Sequence, residues 1–233
     1  MPATKHCITP PEAISFALDP QHMACELRIT GHSRREKELA ALLKDACALA
    51  MPTFACRTVK PVFLAENTLL LEGLAFESKV LCRILQRALA SPDNPGMLFA
   101  FVASCGQELE TWASSLSGRL HEYWAKAIMK RALRTAIDAV KCVLAPLGNS
   151  DLSRIEPGIP IDWPVTEQKK LFALLEPCGS AGVRLNEQCM MQPLYSMAGI
   201  YFFTKTVMTP CAYCRLRTCY RRDAIKPFSQ VCE

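Results

Sequence analysis

Histidine is scarce in this chain of 233 residues: there are four, and none lies near another in the sequence. A metal site built on histidine therefore has little support. The chain also lacks a Gly-rich dinucleotide fingerprint, a phosphate-binding loop that ends in Gly-Lys-Ser/Thr, and a Gly-x-Ser-x-Gly nucleophile elbow. These absences remove the enzyme classes that depend on such motifs.

Long apolar runs are missing as well. No run reaches the roughly 18 residues that a membrane-spanning helix needs, and residues 1–7 contain no apolar core of the signal-peptide type. We therefore expect a cytoplasmic protein with no membrane partner. Half of the residues are hydrophobic and 21% are charged, which is typical of a globular chain that buries a substantial core.

Periodicity predicts both helices and strands. Apolar residues recur at helical spacing in residues 34–50, 78–90, 118–144 and 163–175, and Asp162 is the expected N-cap of the last of these helices. Strand-like segments occupy residues 13–18, 25–30, 61–64, 68–73, 97–104 and 199–207.

The order of these segments predicts the fold class. Helices and strands are mixed without regular βαβ alternation, which favours an α+β class over a doubly wound one. We expect a single domain with a twisted, largely antiparallel sheet, a long helix laid across it and flanking helices, followed by a Cys-rich C-terminal extension.

Residues 154–201 carry the most informative motifs. In order they read Arg154-x-x-Pro157-Gly158, then Asp162-Trp163-Pro164, then Glu187-x-Cys189-Met190-Met191-x-Pro193-x-x-Ser196-x-x-Gly199-x-Tyr201-Phe202. This arrangement resembles the reactivation domain of cobalamin-dependent methionine synthase, in which an Arg-x-x-Pro-Gly-Tyr turn and a later Glu- and Ser-containing segment bind S-adenosylmethionine. The resemblance covers about residues 60 to 205, and it implies an activation-like domain at 1–205 and a basic, Cys-rich segment at 206–233.

The chemistry of these residues suits that ligand. The guanidinium of Arg154 can grip the methionyl carboxylate bidentately, and Gly158 lets the backbone approach a flat nucleoside without a Cβ in the way. Ser196 and Tyr201 offer hydroxyls on the facing segment. The predicted S-adenosylmethionine-binding residues are Arg154, Glu156, Pro157, Gly158, Ile159, Glu187, Ser196, Gly199 and Tyr201, with Glu156 and Ile159 acting through their backbone groups. The alternative interpretation is that Pro157-Gly158 is only a tight loop and that Arg154 is a surface charge.

The sequence departs from the family pattern at three positions. Ile159 replaces the aromatic residue after the glycine, Gln188 replaces the serine after the glutamate, and Ala198 replaces the second serine of the return segment. A backbone contact at 159 survives the change, whereas stacking or hydroxyl contacts at these positions do not.

Cysteine is abundant, with 13 residues, and the odd number argues against a fully paired disulfide framework. Most cysteines are scattered singly at apolar positions, as Cys82 and Cys142 are, where we expect small buried hydrophobes. Metal-ligand spacing occurs in Cys211-x-x-Cys214-x4-Cys219, which is followed by Cys232. These thiolates predict a zinc site or an iron–sulfur cluster, with Cys232, Cys7 or an external group as the fourth ligand. The alternative is a cluster of reduced cysteines or an occasional disulfide.

The cysteine cluster lies in a basic segment. Between Lys205 and Lys226 there are six basic residues against one acidic residue, Asp223, while the formal net charge of the whole chain is +5. We expect this segment to meet an acidic protein surface or the phosphate-bearing edge of a corrinoid. Nucleic acid is not expected as a partner, because few aromatic residues are interleaved with the arginines.

The resemblance implies a function. It predicts a chain that binds S-adenosylmethionine and supports reductive methylation, that is reactivation, of the corrinoid of a partner methyltransferase such as methionine synthase. The chain has no cobalamin-binding Asp-x-His-x-x-Gly motif, so the corrinoid must arrive on that partner, and an electron-donor protein is a further expected partner. The rival prediction is a non-catalytic metal- or iron–sulfur-binding interaction module with a decayed ligand pocket.

Overall fold

The computed structural model describes residues 7–10, 12–91 and 94–208. The helices are α1 (Pro20–Glu26), α2 (Ser33–Leu49), α3 (Lys79–Leu89), α4 (Gln107–Ser115), α5 (Arg119–Leu144) and α6 (Gln168–Leu175), with short 3-10 turns at Ala145–Leu147, Val165–Glu167 and Glu176–Cys178. The strands are β1 (Cys7–Ile8), β2 (Thr53–Val59), β3 (Pro61–Ala65), β4 (Thr68–Leu71), β5 (Leu74–Glu77), β6 (Leu98–Ser104), β7 (Asp151–Ile155), β8 (Arg184–Leu185), β9 (Met191–Gln192) and β10 (Ser196–Thr204).

A five-stranded sheet forms the centre of the described part, in the order β1-β2-β6-β10-β7. All four of its strand pairs are antiparallel. The central strand β6 is buried along its whole length, as its unbroken apolar sequence predicts for a strand covered on both faces. A three-stranded sheet, β3-β4-β5, and the β8–β9 hairpin complete the strand pairing.

Side chains alternate along the central strands and pack into two separate hydrophobic cores. Phe99 and Tyr201 pack with helices α1, α2, α4 and α5 on one face of the sheet. Ala100 and Ile200 pack with α3, α6 and the three-stranded sheet on the other face. The molecule is therefore a three-layer α+β domain with antiparallel sheets and one long helix, which confirms the predicted fold class.

The long helix α5 follows its apolar stripe closely. Trp124, Ile128, Ile137 and Leu144 are among its buried residues, and their spacing keeps one face of the helix on the sheet. Its predicted extent, 118–144, agrees with the structure to one residue. Each such buried side chain contributes about 1.5–3 kcal/mol through the area that it removes from water.

The predicted strands at 13–18 and 25–30 are wrong. Residues Pro20–Glu26 form helix α1, and the Asp19 carboxylate caps it by accepting the N–H groups of Gln21 and His22 at 3.3 and 3.0 Å. An Asp followed by Pro at the first helical position is a helix start signal. In the sequence this signal resembled a turn between strands.

The predicted role of Asp162 as the N-cap of the helix at 163–175 is also wrong. Its carboxylate instead reaches the start of α3, where Ser78 Oγ–H and Val80 N–H donate to it at 2.7 and 3.1 Å. Burial alone raises the pKa of Asp162, but these hydrogen bonds outweigh it, so the pKa is lowered. The helix predicted at 163–175 instead begins with the 3-10 turn Val165–Glu167 and becomes α-helical at Gln168, the first residue of α6.

One disulfide joins two distant parts of the described chain. Cys7 in β1 is bonded to Cys178 in the turn after α6, across 171 residues of sequence. Closing so long a loop removes entropy from the unfolded chain, an effect of about 5 kcal/mol in the chain-entropy model. The thiol of Cys7 is therefore not available as a metal ligand while this bond is intact. Cys82 is buried, as predicted, whereas Cys142 is exposed.

The predicted Cys-rich extension begins at residue 206 and lies almost entirely outside the described residues. Within the described part, no helix combines the length and the apolarity that crossing a membrane requires.

Removal of the Asp162 carboxylate tests its role in the fold. For Asp162→Ala we expect the free energy of unfolding to fall by about 1–2 kcal/mol, because the start of α3 loses its acceptors. Since the folded pKa is lowered, this stabilisation is present above the unfolded pKa and is lost as the pH falls through the folded pKa. Urea denaturation at neutral and acidic pH measures both effects. Asp45→Ala, at an exposed position of α2, is the control, and an equal loss in the two variants would contradict the assignment.

Candidate functional site

The two predicted ligand-binding segments meet because β7 pairs with β10. Tyr201 lies directly across from Arg154, and Ile200 across from Ile155. The sequence placed Arg154 in a turn, but the residue belongs to an edge strand. Ser153 interrupts the apolar alternation of that strand, and its buried hydroxyl is bonded to the Thr204 hydroxyl at 2.8 Å, which is why the pattern did not indicate a strand.

Arg154 is paired with Glu156. The Arg154 Nε–H donates to Glu156 Oε1 at 2.6 Å, and the two side chains are 26% and 13% exposed. Burial by itself lowers the pKa of Arg154, but the negative charge of Glu156 and the neighbouring Tyr201 raise it overall. The guanidinium is therefore permanently charged and is held by a carboxylate two residues away.

Tyr201 brings a buried hydroxyl to the same cluster. Its side chain is 0% exposed and its ring packs against that of Phe101, with centroids 4.5 Å apart. Burial raises the pKa of Tyr201, and the charge of Arg154 opposes the rise. The pKa shifts of both groups include a hydrogen-bond contribution between the guanidinium and the hydroxyl, although the pair lacks the distance and angle of an ordinary hydrogen bond. The hydroxyl is therefore buried beside a cation that already interacts with it.

The turn that follows β7 is closed by its own backbone. The Ile159 N–H donates to the Glu156 carbonyl at 3.2 Å, and the Gly158 N–H donates to the Trp163 carbonyl at 2.7 Å. Gly158 has a φ of +88°, a conformation that glycine adopts without strain. The two backbone groups that were predicted to orient a nucleoside therefore bond to each other, although the carbonyl keeps a second lone pair. Pro157 is buried beneath this turn.

Gly199 is required by the close approach of β7 to β10. A Cβ built on Gly199 would lie 2.4 Å from the Ile155 carbonyl oxygen and 3.2 Å from Cγ of Glu156. The missing side chain therefore provides the space in which the Glu156 side chain lies over β10 and reaches Arg154.

The remaining predicted residues lie further along the same strand. Ser196, at the start of β10, donates its hydroxyl to Ser104 at 3.0 Å, and Glu187 is exposed in the turn between β8 and β9. Tyr201 is five positions along the strand from Ser196, about 17 Å at the usual rise. The structure thus gathers Arg154, Glu156, Gly199 and Tyr201 into one cluster next to the 156–163 turn, and sets Ser196 and Glu187 apart from it.

Lys141 is a member of the cluster that the sequence did not indicate. It lies near the end of α5, and its pKa is lowered by burial first and by the charge of Arg154 second. Asp138, one turn earlier, lies 3.9 Å from its ammonium group. Helical spacing could have identified this i,i+3 pair, but no local signal could show that it faces β7.

The predicted metal ligands Cys211, Cys214, Cys219 and Cys232 lie outside the described residues. Among the residues that are described, no group of three or more His, Cys, Asp or Glu side chains is arranged to hold a metal ion. The metal site therefore stays a prediction.

Two cavities in the described part lie away from the Arg154 cluster. One of about 380 Å³ is lined by residues of α3 and of the end of β10, including Arg87 and Lys205. The other, of about 470 Å³, surrounds Asn67 and Asp162. The Arg154 cluster itself lies at the edge strand of the sheet, outside both cavities, and its Arg154 and Glu156 side chains are largely buried.

The fold places the chain among α+β domains with a central antiparallel sheet and helices on both faces. No protein-family model and no curated protein matches the sequence. Among solved structures, the crystal structure of the MetH reactivation domain bound to AdoHcy is similar, with a TM-score of 0.57 and 18% sequence identity, over 84% of this chain and 72% of that chain. At this identity the likeness establishes a common fold. It agrees with the fold that the motifs of residues 154–201 imply.

Substitution of Gly199 tests the geometry of the cluster. We expect Gly199→Ala to lower the free energy of unfolding by about 1–3 kcal/mol, the range for forcing an extra group into a packed position, because the new Cβ meets the Ile155 carbonyl. Chemical denaturation measures the change. Ala75→Val adds carbon atoms at an exposed strand position and should alter stability by only a few tenths of a kcal/mol. A Gly199→Ala protein as stable as the wild type would refute the close approach.

Proposed function

We propose that this chain binds S-adenosylmethionine at the edge of the sheet and supports reductive methylation of a corrinoid carried by a partner methyltransferase. The observation that carries the proposal is the juxtaposition of Arg154 with Tyr201 across the β7–β10 pair. It combines a fixed cation, suited to a carboxylate, with a buried hydroxyl that interacts with the same cation. The turn that contains Gly158 follows β7 directly and is the segment proposed to hold the nucleoside.

Two findings support the same ligand. The order of the two motifs in the sequence resembles the reactivation domain, and the fold is similar to that domain, whose solved structure holds AdoHcy. AdoHcy, S-adenosylhomocysteine, is what S-adenosylmethionine becomes after it gives up its methyl group. The two ligands share the carboxylate that Arg154 would bind.

The proposed reaction takes its chemistry from the two cofactors. One electron from a donor protein reduces the inactive cobalt(II) corrinoid to cobalt(I), the methyl group of S-adenosylmethionine is transferred to cobalt, and S-adenosylhomocysteine remains. In this scheme Arg154 and Tyr201 hold the methionyl end of the ligand, and the turn at 156–163 holds the nucleoside. The corrinoid arrives on the partner, so the complex must form before transfer.

A second candidate function is a non-catalytic module that binds zinc or an iron–sulfur cluster. The spacing of Cys211, Cys214 and Cys219 favours it, as does the pairing of Arg154 with Glu156, which leaves the arginine satisfied without a ligand. A cluster at these cysteines would also fit the first function if it passed the electron, whereas a non-catalytic module would exclude that function.

Replacement of Arg154 tests ligand binding. We expect the wild type to bind S-adenosylhomocysteine and Arg154→Lys to bind it at least about tenfold more weakly, because a lysine cannot form the bidentate pair. Isothermal titration calorimetry measures both affinities. Arg34→Lys, at a surface ion pair on α2, should bind like the wild type. Absence of binding to the wild type would refute the proposal.

The cysteine cluster is tested by metal analysis. We expect protein purified without oxygen to contain zinc or iron, with visible absorption if the metal is in an iron–sulfur cluster, and Cys211→Ser and Cys214→Ser to lose the metal. Cys25→Ser, at an exposed free cysteine, should retain it. Colourless wild-type protein without bound metal would rule out this site.

A further inference from the structure

The carboxylate of Glu156 takes up the Nε–H of Arg154, one of the donors with which this guanidinium could bind a ligand. The Nε–H of Arg154 donates to Oε1 of Glu156 at 2.6 Å, and the carboxylate is the less exposed of the two groups. Gly199 makes this arrangement possible, since a Cβ there would lie 3.2 Å from Cγ of Glu156. The pair is therefore seated in a space that the fold provides and is not a loose surface contact.

The charges around the pair explain why a carboxylate rests there. Arg154 on β7 acts electrostatically on Lys141 of α5, and Asp138 and Arg134 of the same helix also act on Lys141. The Asp138 carboxylate lies 3.2 Å from Nε of Arg134 and 3.9 Å from Nζ of Lys141. Its negative charge therefore already compensates two cations on α5. Without Glu156, Arg154 and Lys141 would face each other with too little compensating negative charge.

We infer that Glu156 is an internal competitor for the carboxylate of the ligand and must leave Arg154 before a carboxylate-bearing nucleoside binds. This inference rests on the proposed function, because it concerns the same site. It makes Glu156 a specificity-determining side chain, whereas the sequence indicated only its backbone. A ligand with a carboxylate has to displace the contact, and a nucleoside without one does not.

The competition should appear as a difference between two ligands. S-adenosylhomocysteine carries an amino-acid carboxylate, and 5′-methylthioadenosine is a related nucleoside that lacks it. We expect Glu156→Gln to bind S-adenosylhomocysteine about tenfold more tightly than the wild type does, a change of about 1.4 kcal/mol, and to bind 5′-methylthioadenosine unchanged. Glutamine keeps the size of the side chain and removes its charge.

Calorimetry with both ligands on the wild type, Glu156→Gln and Glu38→Gln measures these affinities. Glu38 belongs to an exposed ion pair on α2 and should have no effect. If the wild type binds S-adenosylhomocysteine, equal or weaker binding by Glu156→Gln would overturn the inference, because it would mean that Glu156 helps to hold this ligand or does not touch it. Tighter binding of both ligands would overturn it as well.

A second measurement does not depend on nucleoside binding. The Nε–H resonance of Arg154 can be followed by ¹⁵N NMR during titration with sodium acetate and identified by its absence from Arg154→Lys. We expect acetate to shift this resonance in Glu156→Gln and in Glu156→Ala, but not in the wild type at the same concentrations. Equal shifts in all three proteins would overturn the inference. If no protein binds S-adenosylhomocysteine while acetate behaves as expected, the proposed function fails and the competition stands.

Discussion

The pairing of β7 with β10 is the contact on which the candidate site depends. β7 lies at the edge of the central sheet and pairs there with β10 alone among the described strands. A slip of one residue would turn Arg154 to the opposite face and bring Ile155 to its place. The register is held by the buried side chain of Ile155, by the hydrogen bond between Ser153 and Thr204, and by the bare surface of Gly199.

β10 can act as a platform because it is packed on both faces. Ile200 and Phe202 enter one core and Tyr201 and Phe203 the other, so the strand cannot move without disturbing both layers. The hydroxyl of Tyr201 thus has a fixed position at the end of a ring that is held between α5 and the sheet. Sites on rigid elements hold a ligand more accurately than sites on loops. The turn at 156–163 is less constrained by packing but closes on itself through backbone hydrogen bonds.

The sequence predicted those parts of the fold whose signals are local and strong. The stripe of α5 and the apolar run of β6 could be located within one residue, and the motifs of residues 154–201 implied the fold. Asp162 could not be assigned correctly, because its partner Ser78 is 84 residues away and its position before a helical pattern looks like a cap. The pairing of Arg154 with Glu156 had a usable signal: in extended backbone residues two apart share a face. That signal was missed because Ser153 interrupts the apolar alternation of β7, so the sequence did not indicate a strand there.

A partly buried arginine at a binding site presents a choice between stability and affinity. An unpaired guanidinium in such a position destabilises the ligand-free protein, since burying a charge without a partner is unfavourable. An internal carboxylate removes that penalty, and any ligand must then replace an interaction that the fold already has. In this chain Glu156 is 13% exposed and paired with Arg154, so the arrangement favours the stability of the ligand-free protein. The same free energy that the pair gives to the folded state is subtracted from the binding of a competing anion, because both processes use the same guanidinium.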